Sequence, residues 1–159
     1  MNIEIERKFL LKSDDYKSFI TKSFPIKQGY ISVEKGHSVR VRRKGDKAFL
    51  TIKGATSSNG ISRFEWEREI DLADAEELFL LCQNSFIDKT RHIVPVGKHI
   101  VEIDEFHGDN EGLVMAEIEL ENENETYEKP AWLGEEVTGN RRYYNSFLTR
   151  IPFKMWQNG

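Results

Sequence analysis

The sequence contains very little cysteine and no long apolar run. Cys82 is the only cysteine among its 159 residues, so neither an internal disulfide nor a zinc cluster of thiolates can form. No stretch approaches the roughly 18 apolar residues that predict a membrane-spanning helix, and the N-terminus opens directly into charged residues. The four histidines, at 37, 92, 99 and 107, lack metal-ligand spacing. We therefore expect a cytoplasmic protein with no membrane partner.

An excess of positive charge is also missing. The formal net charge is −4, so no basic field indicates a nucleic-acid partner or an anionic membrane. A length of 159 residues with 38% hydrophobic content predicts a single domain over residues 1–159 with an apolar core. Charged residues amount to 31%, above the roughly 25% usual in soluble domains, and they are clustered by sign.

Strand patterns dominate the chain. Eight segments alternate between polar and apolar residues, and most are separated by short polar or glycine-containing turns such as "KGDK". These linkers are too short for a crossover helix, so neighbouring strands are expected to pair as antiparallel hairpins. The predicted strands cover residues 2–11, 28–33, 37–44, 47–53, 61–70, 86–94, 98–106 and 113–120.

Helical periodicity is weaker and appears in four places. Ser13 is a suitable N-cap for a helix whose apolar face carries Tyr16 and Phe19. The other predicted helices cover 73–82, a short segment that begins at Pro130 and ends before Gly139, and 141–150. Strands with a minority of helices predict an α+β fold.

The charges are segregated onto one face of each strand. In residues 37–44, Arg40 and Arg42 alternate with Val39 and Val41, because successive side chains of an extended chain point to opposite faces. An ordinary sheet with its charged face in water is the simplest explanation. However, acids pair on some strands and bases on others, whereas solvated faces usually mix the two signs. Roughly eight strands can also close into a barrel, and the charged faces would then line a polar tunnel.

Such a tunnel has an identifiable chemistry. Carboxylate oxygens are suitable ligands for Mg²⁺ or Mn²⁺, whereas Arg and Lys bind phosphate oxygens. Charges of one sign would repel each other in a confined space, but both signs together with a metal and a phosphate neutralise one another. The pattern therefore indicates a metal-complexed polyphosphate as the ligand.

Short motifs in order along the chain resemble the elements of the CYTH superfamily, also called triphosphate tunnel metalloenzymes. They are "EIERK" at 4–8, "QGY" at 28–30, "RVR" at 40–42, "TIKG" at 51–54, "SRFEWE" at 62–67, "KTR" at 89–91, "VEIDEF" at 101–106, "AEIEL" at 116–120 and "EVTGNRRYYN" at 136–145. The resemblance implies an α+β fold built on a closed antiparallel eight-stranded β-barrel, with a charged interior and flanking helices. One departure is Asn140, where the family usually has Asp, which predicts that Arg142 is held differently here.

The resemblance also implies an activity. The expected reaction is metal-dependent hydrolysis of a triphosphate, with inorganic tripolyphosphate giving diphosphate and orthophosphate. The alternatives are a class IV adenylate cyclase, a thiamine or nucleoside triphosphatase, and a non-catalytic module that senses polyphosphate or nucleotide. The expected partner is the small-molecule triphosphate, and a homodimer is compatible with the sequence because a small barrel offers an outer packing surface.

Residue roles follow from the resemblance together with the charged faces. The predicted ligands of Mg²⁺ or Mn²⁺, which would otherwise form an exposed acidic edge, are Glu4, Glu6, Glu117 and Glu119. The cations predicted to bind phosphate oxygens are Lys8, Arg40, Arg42, Lys53, Arg91 and Arg142. A second set of carboxylates has three possible roles: ligands of another metal ion, partners that orient the basic side chains, or members of structural salt bridges. These residues are Glu65, Glu67, Glu102 and Asp104.

Two further residues are assigned to the attacking water. Lys89 and Tyr30 are predicted to position or deprotonate it, which requires a lowered pKa at Lys89. The alternative is that Tyr30 packs and Lys89 binds phosphate directly.

Overall fold

The computed structural model describes residues 3–34 and 36–156, and β-strands account for most of them. Residue 2 of the predicted first strand lies outside the described residues, as do the ends of the predicted 1–159 domain. Nine strands are found: β1 Ile3–Leu11, β2 Lys22–Glu34, β3 His37–Lys44, β4 Lys47–Thr56, β5 Ser62–Ile70, β6 Gln83–Val96, β7 His99–Phe106, β8 Val114–Glu119 and β9 Leu133–Glu136. The first eight correspond to the eight predicted strands.

The sheet closes on itself. Its order is β5-β4-β3-β2-β6-β7-β8-β1-β9, and β1 also pairs with β5, so β1 to β8 form a closed antiparallel barrel. The closing pairs run from Ile3 opposite Phe64 to Ile5 opposite Ser62. The rest of this β1 edge is taken by β9, which pairs Leu11 with Leu133. The predicted fold, an eight-stranded antiparallel barrel, is confirmed.

Helices are few and short. The α-helices are α1 at Leu72–Phe79 and α2 at Asn145–Leu148, and the 3₁₀ turns lie at Asp15–Phe19, Gly108–Asn110, Arg141–Tyr143 and Phe153–Met155. The predicted helix after Ser13 is therefore a 3₁₀ turn, 73–82 becomes α1, and 141–150 divides into a 3₁₀ turn followed by α2. Among the described residues, no helix is long and apolar enough to cross a membrane.

The predicted helix beginning at Pro130 is wrong. The chain makes a single turn there, in which the Leu133 amide donates to the Pro130 carbonyl, and then continues as strand β9. Gly134 packs so closely on β1 that an added Cβ would lie 2.9 Å from the Leu10 carbonyl oxygen. The unpaired edge of β1 thus supplies a strand partner, which outweighs the local helical preference.

The apolar faces of the strands point outward and are covered by the connecting segments. Phe9, Val101 and Ile118 belong to a buried cluster with Tyr16 of the first 3₁₀ turn and Trp132, which precedes β9. A second cluster joins Val41 and Ala48 to Ala75 and Phe79 of α1. These segments bury much of the outer surface, whereas Ile3, Ile52 and Phe64 on the outer faces of β1, β4 and β5 stay partly exposed. The alternate residues of each strand face the lumen.

One end of the lumen is apolar. Leu10, Ile87, Phe106 and Met115 occupy the same alternate series as the charged residues of their strands, yet they pack together in a buried cluster with Leu148 of α2. Tyr143, Phe153 and Trp156 pack against this cluster. The C-terminal segment therefore closes this end of the lumen, next to the charged part. We call the contact of Leu148, Tyr143, Phe153 and Trp156 with the apolar strand residues the apolar plug.

Truncating the plug should destabilise the protein. Leu148 is fully buried, and we expect Leu148→Ala to lower the free energy of unfolding by about 2–5 kcal/mol, since the substitution leaves a cavity. Leu80, which is 85% exposed, is the matched control, and Leu80→Ala should change it by less than about 0.5 kcal/mol. Urea unfolding followed by circular dichroism measures both values. Equal effects of the two substitutions would contradict the plug.

Candidate active site

A charged cavity of about 210 Å³ lies inside the barrel. All eight strands β1 to β8 contribute side chains to its lining. The charged faces of the strands therefore point inward, which is one of the two orientations that the alternating sequence allowed. The carboxylates that line it are Glu4, Glu6, Glu65, Glu67, Glu102, Glu117 and Glu119. The cations that line it are Lys8, Arg40, Arg42, Lys53, Arg63, Lys89 and Arg91.

The two signs occupy opposite sides of the cavity. Strands β7, β8, β1 and β5 are consecutive around the barrel and carry all the lining carboxylates. Strands β6, β2, β3 and β4 complete the circle and carry the lining cations other than Lys8 and Arg63. We call these sides the acidic wall (β7, β8, β1, β5) and the basic wall (β6, β2, β3, β4).

Like charges face each other directly on the acidic wall. Glu6 lies opposite Glu119, and Glu117 lies opposite Glu102, in the registers of neighbouring strands. Burial and then the carboxylates of Glu117 and Glu4 raise the pKa of Glu6 well above its usual value. Burial and nearby carboxylates, that of Glu4 first, also raise the pKa of Glu119. Opposed carboxylates destabilise a sheet unless a cation lies between them.

The other two predicted metal ligands already have cationic neighbours. Burial opposes ionisation of Glu4, but the Lys53 ammonium 2.8 Å from its Oε1 lowers the pKa of Glu4 below its usual value. Burial also opposes ionisation of Glu117, yet Lys8 and Arg91 lower its pKa to about 2. Within residues 3–34 and 36–156, Glu6 and Glu119 make no such ion pair. They are the carboxylates of the acidic wall that most require a cation.

Asp104 is the counterion of the basic wall. It is 2% exposed, its Oδ1 lies 2.8 Å from Arg91 Nε, and its Oδ2 lies 2.7 Å from Lys89 Nζ. Burial opposes its charge, but Arg91 and Lys89 hold the pKa of Asp104 far below its usual value. Burial in turn lowers the pKa of Lys89 to about 7, although Asp104 favours the ammonium form. Asp104 does not belong to the cavity lining but lies behind these two cations.

The remaining basic side chains are held by neutral groups or by single carboxylates. Arg42 Nε donates to Gln28 Oε1 at 2.8 Å, and burial together with Arg40 lowers the pKa of Arg42 to about 10. Arg40 Nη2 donates to Thr51 Oγ1 at 3.2 Å and lies 3.5 Å from Glu67 Oε2. The buried Nε of Arg40 has no hydrogen-bond partner among the described residues. These guanidiniums retain donors that an anion can occupy.

The structure brings the predicted site residues together around the cavity, except that Asp104 lies behind its lining and Arg142 lies outside it. The Arg142 guanidinium carbon lies 4.2 Å from the centroid of the Trp156 ring, and the side chain does not belong to the cavity lining. Asn140 Oδ1 accepts a hydrogen bond from the Arg142 amide and caps the 3₁₀ turn at Arg141–Tyr143. The residue that departs from the family pattern therefore orients the backbone of this turn, while Arg142 stacks outside the cavity.

Sequence reasoning missed several uncharged lining or supporting residues. Gln28 donates to Asn145 at 3.1 Å, and Asn145 accepts from Lys89 at 2.9 Å, so the two amides connect basic side chains. Thr51 accepts from Arg40, as described above. Gln28 shares the alternate series of Tyr30 on β2, so its position on the lumen side was available from the pattern. Asn145 closes the motif "EVTGNRRYYN", but it lies far along the chain from Lys89, so the sequence did not show that the two residues meet.

Two glycines meet at the rim of the cavity. Gly60, in the turn between β4 and β5, and Gly139, which precedes the 3₁₀ turn at Arg141–Tyr143, both belong to the lining. Gly60 has φ +80°, and an added Cβ would lie 2.5 Å from the Gly139 Cα. The two loops can approach this closely only because neither residue carries a side chain.

The donor set suits a hard divalent cation. Within residues 3–34 and 36–156, no three His, Cys, Asp or Glu side chains are already gathered into a metal cluster. The acidic wall nevertheless offers carboxylate oxygens, the ligands that Mg²⁺ and Mn²⁺ prefer, and its opposed pair Glu6 and Glu119 is uncompensated. The residues therefore fit such an ion.

Comparison with known proteins shows the family of the chain. The family model described as CYTH domain matches residues 2–150. An inorganic triphosphatase of Acetivibrio thermocellus is 48% identical over 155 residues, with 97% of each chain covered. An inorganic triphosphatase of Nitrosomonas europaea is 34% identical over 150 residues, with 91% of this chain and 95% of that one covered. The crystal structure of the inorganic triphosphatase NE1496 superimposes with a TM-score of 0.64 and 29% identity, covering 100% of this chain and 99% of that one.

Removing the internal counterion should cost stability in a pH-dependent way. We expect Asp104→Asn to lower the free energy of unfolding by about 3–5 kcal/mol at pH 7, since it leaves buried cations without their partner. The folded-state pKa of Asp104 is lowered, so this contribution is complete above the unfolded pKa of about 3.9 and is lost as pH falls through the lower folded value.

Urea unfolding of both proteins in EDTA at pH 7 and at pH 3 measures the difference. The gap between wild type and Asp104→Asn should shrink at pH 3. Asp109→Asn is the matched control, because Asp109 pairs with Lys154 at 2.7 Å on the surface, and we expect it to cost less than about 1 kcal/mol. A gap for Asp104→Asn that stays constant with pH would overturn the assignment.

Proposed function

The chain belongs to the CYTH family, and from this premise we propose that it is a metal-dependent triphosphatase that converts inorganic tripolyphosphate to diphosphate and orthophosphate. The observation that carries the proposal is the division of the cavity into an acidic wall and a basic wall. A metal-complexed polyphosphate presents a cation and a row of anionic oxygens, and these complement the two walls.

The acidic wall supplies the proposed metal ligands. Glu6 and Glu119 are opposed and uncompensated, and Glu4 and Glu117 flank them on the same two strands. Bound Mg²⁺ or Mn²⁺ would neutralise phosphate oxygens and stabilise the leaving diphosphate. Glu65, Glu67 and Glu102 complete this wall; Glu65 and Glu67 lie 3.4 Å and 3.5 Å from Lys53 and Arg40. We propose that these two orient the cations.

The basic wall supplies the proposed phosphate contacts. Arg40, Arg42 and Arg91 are buried or nearly so and line the cavity, together with Lys53, and Lys8 faces them from β1. Their donors face a confined space, in which charge-assisted hydrogen bonds to phosphate are stronger than in water. This arrangement stabilises the charge that develops as the terminal phosphoryl group is transferred.

Lys89 and Tyr30 are proposed to act on the attacking water. Lys89 Nζ has two acceptors, Asp104 and Asn145, which leave its third position for a ligand in the cavity. In the reaction, the water oxygen bonds to the terminal phosphorus in line with the leaving oxygen, the bond to diphosphate breaks, and the water loses a proton. An uncharged Lys89 amine would accept that proton, whereas an ammonium would contact the phosphate directly.

The size and lining of the cavity favour a substrate without a base. About 210 Å³ is below the roughly 300–1,000 Å³ of sites for drug-sized ligands. Tyr30 and Tyr144 are the aromatic residues of the lining, and both lie beside charged or amide groups: Gln28 near Tyr30, and Lys8 over the Tyr144 ring. The relatives of 48% and 34% identity carry the name inorganic triphosphatase, which supports the same choice.

Product analysis tests the substrate. Purified protein is incubated with tripolyphosphate, ATP or thiamine triphosphate, with Mg²⁺, Mn²⁺ or EDTA, and orthophosphate, pyrophosphate and cyclic AMP are measured. We expect orthophosphate from tripolyphosphate, at a rate that depends on the metal and exceeds the rates with the other two. Cyclic AMP with pyrophosphate from ATP would indicate a cyclase. Tight binding without any hydrolysis would indicate a sensor.

Substitutions on the acidic wall test the metal ligands. We expect Glu6→Gln or Glu119→Gln to reduce turnover by more than about 100-fold, since even indirect partners of a metal cost about 10–100-fold. Without metal the same substitutions should leave the melting temperature unchanged or raise it, because they relieve repulsion between opposed carboxylates. The rise in melting temperature on adding Mn²⁺ should become smaller.

Glu69→Gln is the matched control, since Glu69 lies on β5 in the same alternate series as Glu65 and Glu67 but is exposed and outside the cavity lining. It should behave as wild type in both measurements. A normal Mn²⁺ response and normal turnover in Glu6→Gln and Glu119→Gln would remove the ligand assignment.

Three further assignments remain proposals. We propose a cytoplasmic location, supported by the single cysteine, Cys82, which is free and leaves folding independent of disulfides. A homodimer stays a prediction that sedimentation of the purified protein would measure. The proposed partner at the site is the small-molecule triphosphate.

A further inference from the structure

Two buried amide side chains connect the basic wall to the C-terminal segment. Gln28, fully buried on β2, accepts from Arg42 Nε at 2.8 Å through its Oε1. Its Nε2 donates to Asn145 Oδ1 at 3.1 Å and lies 3.3 Å from the Tyr30 hydroxyl. Asn145 Oδ1 also accepts from Lys89 Nζ at 2.9 Å. One continuous chain of hydrogen bonds therefore runs from Arg42 through two amides to Lys89.

The amide orientations are consistent with one another. Arg42 has only donors, so Gln28 must present its oxygen to Arg42 and its nitrogen to Asn145. As an ammonium, Lys89 likewise has only donors, so Asn145 presents its oxygen to Lys89, where it also accepts from Gln28. The orientation of each amide is thus set by the cation that it accepts from, and each cation is held in place by its amide.

The bridge is uncharged, unlike the ion pairs that hold other cations of the basic wall. Lys53 and Arg91 are paired with carboxylates at 2.8 Å, from Glu4 and Asp104. Arg42 has no carboxylate within 4.0 Å among the described residues, so Gln28 orients it without cancelling its charge. A second carboxylate at the position of Asn145 would compete with phosphate for Lys89.

The bridge is anchored by the apolar plug. Asn145 is the first residue of α2, and Leu148 of the same helix is fully buried against Ile87, Phe106 and Met115. Ile87 is two residues from Lys89 on β6. The packing that closes one end of the lumen therefore also fixes the amide that holds Lys89.

We propose that Gln28 and Asn145 are positioning residues that align Arg42, Lys89 and Tyr30 for the phosphate and the attacking water while leaving the charge of the basic wall available. The inference rests on the proposed triphosphatase function. Loss of the bridge should lower the rate, because small misplacements of reacting groups cost up to about 100-fold. It should leave the fold intact, because strand pairing does not depend on either amide.

The kinetic test is a double-mutant cycle with kcat and KM for tripolyphosphate. Gln28→Leu and Asn145→Ala should each lower kcat about 10- to 100-fold, and the double variant should lose no more than the worse single one, since both break one chain of bonds. Losses that multiply in the double variant would mean two independent roles and would overturn the bridge.

A metal-free measurement tests the importance of neutrality. Asn145→Asp can accept the same two hydrogen bonds but adds a negative charge beside Lys89. We expect the affinity for tripolyphosphate in EDTA, measured by calorimetry, to fall at least about tenfold, because like charges repel more strongly in a confined site than in water. Wild-type affinity in Asn145→Asp would show that neutrality is irrelevant and would count against the proposal.

Two control variants separate positioning from stability. Asn110→Ala removes a buried amide whose Oδ1 accepts from the Phe153 amide at 2.8 Å outside the cavity, so it should lower the melting temperature but keep kcat within about twofold. Gln83→Leu, at an exposed glutamine on β6, should change neither. If wild type hydrolyses tripolyphosphate and the folded bridge variants stay within threefold of it, only this inference fails. If wild type hydrolyses no triphosphate, the proposed function fails and the positioning role with it.

Discussion

Pairing of β1 with β5 is the constraint on which the site depends. Only a short run of residues makes this contact, from Ile3 to Ile5 on β1, but it converts a sheet with one charged face into a barrel with a charged interior. Because side chains alternate along a strand, closure points every second residue into the same confined space. Closure also places Glu4 within 2.8 Å of Lys53, a residue 49 positions further along the chain. In an open sheet the same charges would be screened by water and would have little affinity for one another.

Inside the closed barrel, the positions of the positive and negative side chains matter as much for the electrostatics of the cavity as their number. The charge of the basic wall is compensated in part, by Asp104 behind Lys89 and Arg91, whereas Gln28 holds Arg42 without neutralising it. The acidic wall is compensated less completely, since Glu6 faces Glu119 across neighbouring strands. In the protein alone, the basic wall therefore presents donors for an anion, whereas the acidic wall has carboxylates without a cation. A metal-bound polyphosphate would remove both imbalances at once, whereas a free anion or a free metal would remove one.

The apolar plug shows that the inward face of one strand can be charged along part of its length and apolar along the rest. On β1 the inward series runs from Glu4, Glu6 and Lys8 to Leu10, and on β6 it runs from Ile87 to Lys89 and Arg91. The charged part lines the cavity, and the apolar part packs under α2. Stability is supplied mainly by burial of apolar surface, inside the plug and under the outer covering segments, so the charged residues need not provide it. The site can then keep unfavourable juxtapositions such as Glu6 opposite Glu119.

The predicted strands and the segregation of charge by face were readable from the sequence because alternation is a local property of consecutive residues. For the same reason the sequence places Glu4, Arg40 and Lys89 on the charged faces that line the cavity. The sequence misled where local preference met a distant partner: the segment after Pro130 became β9 because β1 had an unpaired edge, and Arg142 stacked on Trp156 outside the cavity. Gln28 and Asn145 escaped notice because uncharged residues do not stand out in a charge pattern.

By itself, then, the sequence determined which side chains share a face, their charges, and the family to which they correspond. The tertiary structure alone decided that those faces look inward, which carboxylate meets which cation, and which carboxylates are left without one. These depend on strand register and barrel closure between residues far apart in the chain, and no local pattern records them.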